Sequence, residues 1–356
     1  MLNFTVGPVK SPNEVLEVGG QSAPYFRTPE FSKTMLENEK LMLGLLGAPK
    51  TSRCVFLTAS GTGSMEAAVM GVLEPDERVA VVNGGSFGQR FVDLCRLHRH
   101  EVDEVKLEFG AQVTADALSE VVSGDAGVLL VNMHETSSGL LYDMPLVSAF
   151  CRERGMLLIV DAVSAFIADE IDMEALGADV VLTGSQKALA CHPGISIMAL
   201  SSRAQERVAS NPELCSYLSL KEALKNGARG QTPWTPAVAT LLEINARLRS
   251  ISSRGIETER AEIAARAGQV RATLAGTSLE MVPQNPSNAV SAYRCPEHNA
   301  KAVIECAKAD HGIWLCPNGG ALADEVFRIG HIGAITTADN EKLTNALSAM
   351  AAAGLF

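Results

Sequence analysis

The chain has 356 residues, 47% of them apolar, with 30 glycines and a formal net charge of −11. That length suits one large domain or two unequal ones, and the composition is that of a compact α/β enzyme. The negative balance, with no lysine or arginine run, argues against a nucleic-acid surface, and eight scattered cysteines without a CxxC pair read as reduced thiols of a cytosolic protein rather than a zinc site.

Met1 to Pro8 lacks a basic region followed by an apolar one, so a signal peptide is not expected; no apolar run reaches transmembrane length. Residues 1 to 30 are punctuated by Gly7-Pro8, Gly19-Gly20, Pro24 and Pro29 and read as an irregular arm lying across the fold or a partner subunit. Apolar spacing predicts a helix over Glu30–Leu46, ending at Gly47. Cys54–Thr58 is a short strand running into Ala59-Ser60-Gly61-Thr62-Gly63-Ser64 and a helix from Met65. Such a junction aims free N–H groups and the positive helix end at one point, so Ser60, Gly61 and Thr62 are candidates to hold an anion. A plain capped turn is the alternative. No Gly-Lys-Ser/Thr follows, which excludes a nucleotide P-loop.

Arg78–Val82 is the next strand, and Asn83–Arg90 a loop before a helix from Arg90 to His98. Phe87 sits among glycines there and is placed either to stack on a flat ligand ring or to cover a small satellite core. Ala126–Val131 is a strand ending in the polar set Asn132–Gly139, and Pro145–Arg154 is a crossover helix. Met156–Val160 is an apolar strand ending at Asp161, a carboxylate costly to bury without a partner unless it caps the next helix. Ala178–Leu182 reads as a buried strand, followed by Thr183-Gly184-Ser185-Gln186-Lys187-Ala188. A lysine shielded at a strand end has its charged form disfavoured and can attack an aldehyde; a surface loop lysine is the alternative. Gly194–Leu200 completes a run of alternating strands and helices from about residue 54, the pattern of a mainly parallel sheet.

Residues 201 to 235 read as polar and irregular, followed by helices over Ala237–Ile251 and Glu257–Leu274. A smaller α+β unit follows, with strands near Ala289–Arg294 and Val326–Ile329 and helices at His298–His311 and Asp339–Ala352. The expected division is an N-terminal arm (1–20), a large domain (21–255) and a small domain (256–356) completed by part of the arm. Arg328, inside an apolar strand before Gly330, needs an anion, either a ligand carboxylate or an internal ion pair. His331 reads as structural.

These motifs, in this order and with 26 residues from Asp161 to Lys187, resemble class V aminotransferases of pyridoxal phosphate (PLP) fold type I over essentially the whole chain. The alanine/serine–glyoxylate aminotransferases and 2-aminoethylphosphonate–pyruvate transaminases are the most similar members. The resemblance implies that Lys187 is the Schiff-base lysine and proton carrier and that Asp161 pairs with the pyridine nitrogen. It implies that Phe87 stacks on the ring, Thr136 lies near the ring hydroxyl, and Ser60, Gly61, Thr62 and Gln186 hold the phosphate. Val163 belongs to the cofactor set with Asp161. Arg328 matches the arginine that binds the substrate α-carboxylate. A phosphate contact from a second subunit falls on Thr232 or Thr235, which implies a homodimer. Arg27 would be a further anion contact, or else pin the arm by a salt bridge. The implied reaction is ping-pong transfer from a small amino donor to a 2-oxo acid such as glyoxylate or pyruvate. The alternatives are 2-aminoethylphosphonate as donor, a cysteine desulfurase or lyase, and a non-catalytic scaffold. Against a desulfurase, Gln186 stands where those relatives have histidine, and Cys316 reads as a core or loop thiol.

Overall fold

The computed structural model describes residues 1–356. Seven strands form the large sheet: β1 (Arg53–Thr58), β2 (Val79–Asn83), β3 (Val102–Lys106), β4 (Val128–Asn132), β5 (Leu157–Asp161), β6 (Val180–Gly184) and β7 (Ile195–Leu200). Their spatial order is β1-β7-β6-β5-β4-β2-β3. Only β7 runs antiparallel to its neighbours, β1 and β6; the other pairs are parallel. Helices cover both faces, so the central strands are buried at every position and largely apolar rather than alternating. Alternate residues still part company. Val128, Leu130, Leu157 and Ile159 enter one core cluster; Leu129, Val131, Leu158 and Val160 enter the other.

A second, antiparallel sheet holds β8 (Glu280–Met281), β9 (Val290–Arg294), β10 (Cys316–Pro317) and β11 (Val326–Gly330), in the order β8-β9-β11-β10. It packs with the helices Ala300–Ala309 and Thr337–Ala352 around its own core, which includes Phe327, Ile329 and Leu343. No helix of the chain is long and apolar enough to cross a membrane.

Several expectations are corrected. The first thirty residues are not wholly irregular: Leu2–Asn3 pairs in parallel with Ile313–Trp314, and α1 spans Asn13–Gly19. The arm gains order by completing an edge of the small unit, with Phe4 buried in that unit's core. α2 occupies Pro29–Leu45 and α3 Gly61–Val72. α4 begins at Ser86 and runs to Leu97, so Phe87 lies in its first turn rather than in a loop. Residues 201 to 235 contain two helices, Ser202–Ser210 and Leu220–Gly227, capped by the side chains of Ser201 and Ser219.

Candidate active site

The polar strand ends meet at the C-terminal edge of β4, β5 and β6. Asn132 and Asp161 stand opposite each other in the β4–β5 register. Asp161 is buried, and its carboxylate accepts Asn132 Nδ2 at 2.6 Å and the Val163 backbone N–H at 2.8 Å. Burial nevertheless pushes its pKa up to about 6, with those two hydrogen bonds opposing the shift. A buried carboxylate in that condition is suited to a cationic N–H partner. Asn132 is a residue that sequence reasoning left without a role; its position at a strand end beside Asp161 was the available signal.

Lys187 follows β6 across a turn in which the Ser185 hydroxyl donates to the His192 carbonyl at 2.7 Å and accepts the Ile195 N–H. The lysine is buried. Burial lowers its pKa to about 8, reinforced by the Arg328 charge and opposed by Asp161. Its Nζ donates to the Val6 carbonyl at 2.6 Å, so the N-terminal arm lies directly on the lysine. Gly7 is required there: its φ is +122°, and a Cβ would stand 2.8 Å from Lys187 Cδ.

At α3, Ser60 is the N-cap residue but makes no side-chain cap bond. The Gly61 and Thr62 N–H groups open the first turn, where a helix supplies no internal acceptors. Val163 packs on this turn; a Cβ on Gly61 would meet Val163 Cγ2 at 3.0 Å. Arg90 donates to Thr62 Oγ1 at 3.0 Å and lies over the Phe87 ring, 4.8 Å from its centroid. Gln186 is half-buried.

Thr136 Oγ1 and Ser164 Oγ are 2.6 Å apart, and the Thr136 carbonyl accepts Arg328 Nη1 at 3.1 Å. Arg328 Nη2 donates to the Pro317 carbonyl at 2.6 Å, while its Nε is buried without a partner. Cys316 pairs with Arg328 in register across β10 and β11 and is half-exposed. It is therefore a strand thiol at the mouth of the cluster, not a core one.

Three residues stand apart within this chain. Arg27 is held by its own chain, donating to Gln231 Oε1 (3.1 Å) and to the carbonyls of Thr232 (2.8 Å) and Pro233 (3.2 Å). It pins the arm as expected in the alternative, but to neutral acceptors rather than through a salt bridge. Thr232 is buried, with its hydroxyl donating to the Trp234 carbonyl at 2.7 Å, whereas Thr235 is exposed on the same turn.

Residues 19–313 match the family model described as Aminotransferase class-V. The chain belongs to the class V aminotransferases. It is 31% identical over 350 residues to the L-aspartate–glyoxylate aminotransferase of Paracoccus denitrificans, covering 94% of this chain and 87% of that one. It is 29% identical over 345 residues to the serine–glyoxylate aminotransferase of Arabidopsis thaliana, covering 93% and 85%. The solved aspartate aminotransferase of subgroup IV from Thermus thermophilus superposes with a TM-score of 0.93 at 28% identity, covering 99% of each chain. This class V aminotransferase is thus a PLP-dependent transaminase of fold type I, and the lyase and scaffold alternatives fall away.

The residues present fit that cofactor. A buried amine of lowered pKa, a buried carboxylate without a cation, and an uncapped helix start match an aldehyde, a ring N–H and a phosphate respectively.

Proposed function

We propose that this transaminase moves an amino group from a small amino acid of the alanine or serine type to glyoxylate or pyruvate, in two half-reactions at one site. The observation that carries the reading is that Lys187 and Asp161 stand at the C-terminal edge of the large sheet while Arg328, from the small sheet, bonds the Thr136 carbonyl and acts electrostatically on Lys187. Pyridoxal phosphate supplies a carbonyl for the amino group and an electron-withdrawing ring. Lys187 anchors it and, with a pKa of about 8, exchanges the substrate α-proton near neutral pH. Asp161 keeps a proton on the ring nitrogen, steadied by Asn132. Phe87 would stack on the ring, Val163 would join Asp161 in the cofactor set, and Thr136 with Ser164 would meet the ring hydroxyl. Ser60, Gly61, Thr62 and Gln186 take the phosphate.

Arg328 exchanges its carbonyl contacts for the substrate α-carboxylate, whose two oxygens match its planar fork. Arg27 is already committed to the Gln231–Pro233 turn, which supports a donor with one carboxylate over aspartate or a phosphonate. The exposed Thr235, rather than Thr232, is assigned the phosphate contact across a homodimer. We assign residues 21–255 to the cofactor-binding domain and 256–356, with the start of the arm, to the small domain.

The test is the visible absorbance of the PLP-loaded protein, with alanine, serine, aspartate and 2-aminoethylphosphonate added singly. Bleaching of the visible band by alanine or serine, and its return with glyoxylate or pyruvate, is expected. A band that only aspartate or the phosphonate bleaches would overturn the donor assignment.

A further inference from the structure

Glu135 is completely buried and forms no ion pair, yet its carboxylate is saturated with donors. One oxygen accepts the Phe87 and Gly88 backbone N–H groups, each at 3.1 Å. The other accepts the Ser137 N–H at 3.0 Å and the Ser137 hydroxyl at 2.5 Å. That hydroxyl in turn accepts the Ser86 N–H at 3.1 Å. Ser86, Phe87 and Gly88 are the first three residues of α4, whose own N-cap, Gly85, has no side chain to cap it. Three orphan donors of this helix start are therefore satisfied from a turn about fifty residues away, and a carboxylate sits at the positive helix end. Gly85 makes room for this, since a Cβ there would lie 2.6 Å from Glu135 Cδ.

A buried carboxylate without a cation is expensive, and a structural cap for α4 needs only a local Ser or Asp at position 85. The remote cap does something a local one does not. It ties Phe87 to the next residue, Thr136, whose carbonyl also holds Arg328.

We propose that Glu135 is a positioning residue for the cofactor, capping α4 together with Ser137 so that Phe87 is held at the height and tilt needed to stack on the ring. This rests on the reading of Phe87 as the stacking residue. In Glu135→Gln the amide N–H₂ must face either the Phe87 and Gly88 N–H pair or the Ser137 N–H, so one set of donors loses its acceptor.

The experiment is titration of apoprotein with pyridoxal phosphate, read by absorbance and by the circular dichroism induced in the bound cofactor. Phe87→Leu and Glu135→Gln are each expected to weaken binding roughly 3- to 10-fold, the worth of one aromatic stacking contact, and to diminish the dichroic band. The double variant is expected to bind no more weakly than the weaker single variant, because both remove one interaction. Ser137→Ala, which withdraws only part of the cap, serves if Glu135→Gln does not fold, with a smaller loss in the same direction. If Phe87→Leu alone weakens binding, or if the two losses add, Glu135 does not act through Phe87 and the inference is overturned. Wild-type binding and dichroism in Phe87→Leu would sink the stacking reading together with it.

Discussion

Gly7→Ala tests the contact between the N-terminal arm and Lys187. The residue has φ +122°, and its added Cβ would stand 2.8 Å from Lys187 Cδ, 3.2 Å from Lys187 Cε and 3.2 Å from the Gln186 carbonyl oxygen. The backbone strain is about 1–3 kcal/mol for a non-glycine residue. Overpacking adds about 1–3 kcal/mol, since the Gln186 carbonyl cannot retreat as a flexible side chain can. Reduced freedom of the unfolded chain returns about 0.4–1 kcal/mol. The net loss is about 1–6 kcal/mol, or about 1–8 °C in melting temperature at the unfolding entropy of a chain this long. The apoprotein should melt lower by that amount, and PLP should bind more weakly because the lysine stem is displaced. Gly268→Ala is the control: that glycine lies exposed in the helix Ile256–Leu274 with nothing within 4 Å of an added Cβ. It should gain about 0.5–1 kcal/mol from helix propensity. A Gly7→Ala protein that melts and binds PLP like wild type would refute the claim that the arm is packed on Lys187.

Removing the Asn132 hydrogen bond in Asn132→Ala should raise the Asp161 pKa beyond about 6 by roughly 1–2 units, from the worth of a bond to a charged group. PLP affinity relative to wild type should then fall as pH drops through about 7–8, where the variant's Asp161 protonates while the native one stays ionised, and recover at higher pH; a loss equal at every pH would contradict this. His134 and His331 are buried with pKa values lowered to about 3, by burial first and then by Lys187, Arg328 and Arg271 around His134 and Arg271 and Arg266 around His331. The unfolded chain binds protons that the native one refuses, so each histidine's contribution is intact above pH 6.5 and lost as pH falls toward 3. Between pH 7 and pH 5 each accounts for about 2 kcal/mol of lost stability. Denaturation of His331→Gln at the two pH values should show a loss smaller by that amount, and an unchanged loss would count against a neutral buried imidazole. Arg328→Lys removes the two-pronged guanidinium that now holds Thr136 and Pro317. KM for both substrates should rise about 10- to 100-fold, at 1.4 kcal/mol per factor of ten for a lost charged hydrogen bond, with kcat less affected; wild-type KM values would remove Arg328 from the carboxylate site.

Local pattern made the central strands readable. β4 to β6 are buried on both faces, so each appears as an apolar run, and the polar residues ending those runs mark the ligand edge. Boundaries slipped where tertiary hydrogen bonds extended an element: β6 runs to Gly184 because Thr183 and Gly184 still pair with β7. Short elements escaped notice. The strand Val102–Lys106 and the helix Ala115–Val121 had no expected counterpart, although Thr114 caps the latter with a sequence-readable side chain.

The sequence by itself determined where costly polar groups would be buried: Lys187 and Asp161 stand at the ends of apolar runs, and Arg328 within one, where burial without a partner would be expensive. Their electrostatic condition came only from the tertiary structure, because a pKa depends on what surrounds the group in space. Asn132 reaches Asp161 from the neighbouring strand, and Val6 reaches Lys187 from 181 residues away. The start of α4 was likewise invisible locally, since Glu135, on another strand end, supplies the cap that Gly85 lacks. Arg27 shows the same limit in reverse: an unpaired cation in sequence, it is bound in space to the Gln231–Pro233 turn. Residue type and local period dictate what each segment can bury, while the partners of buried charges are chosen by strand order and by the packing of the arm across it.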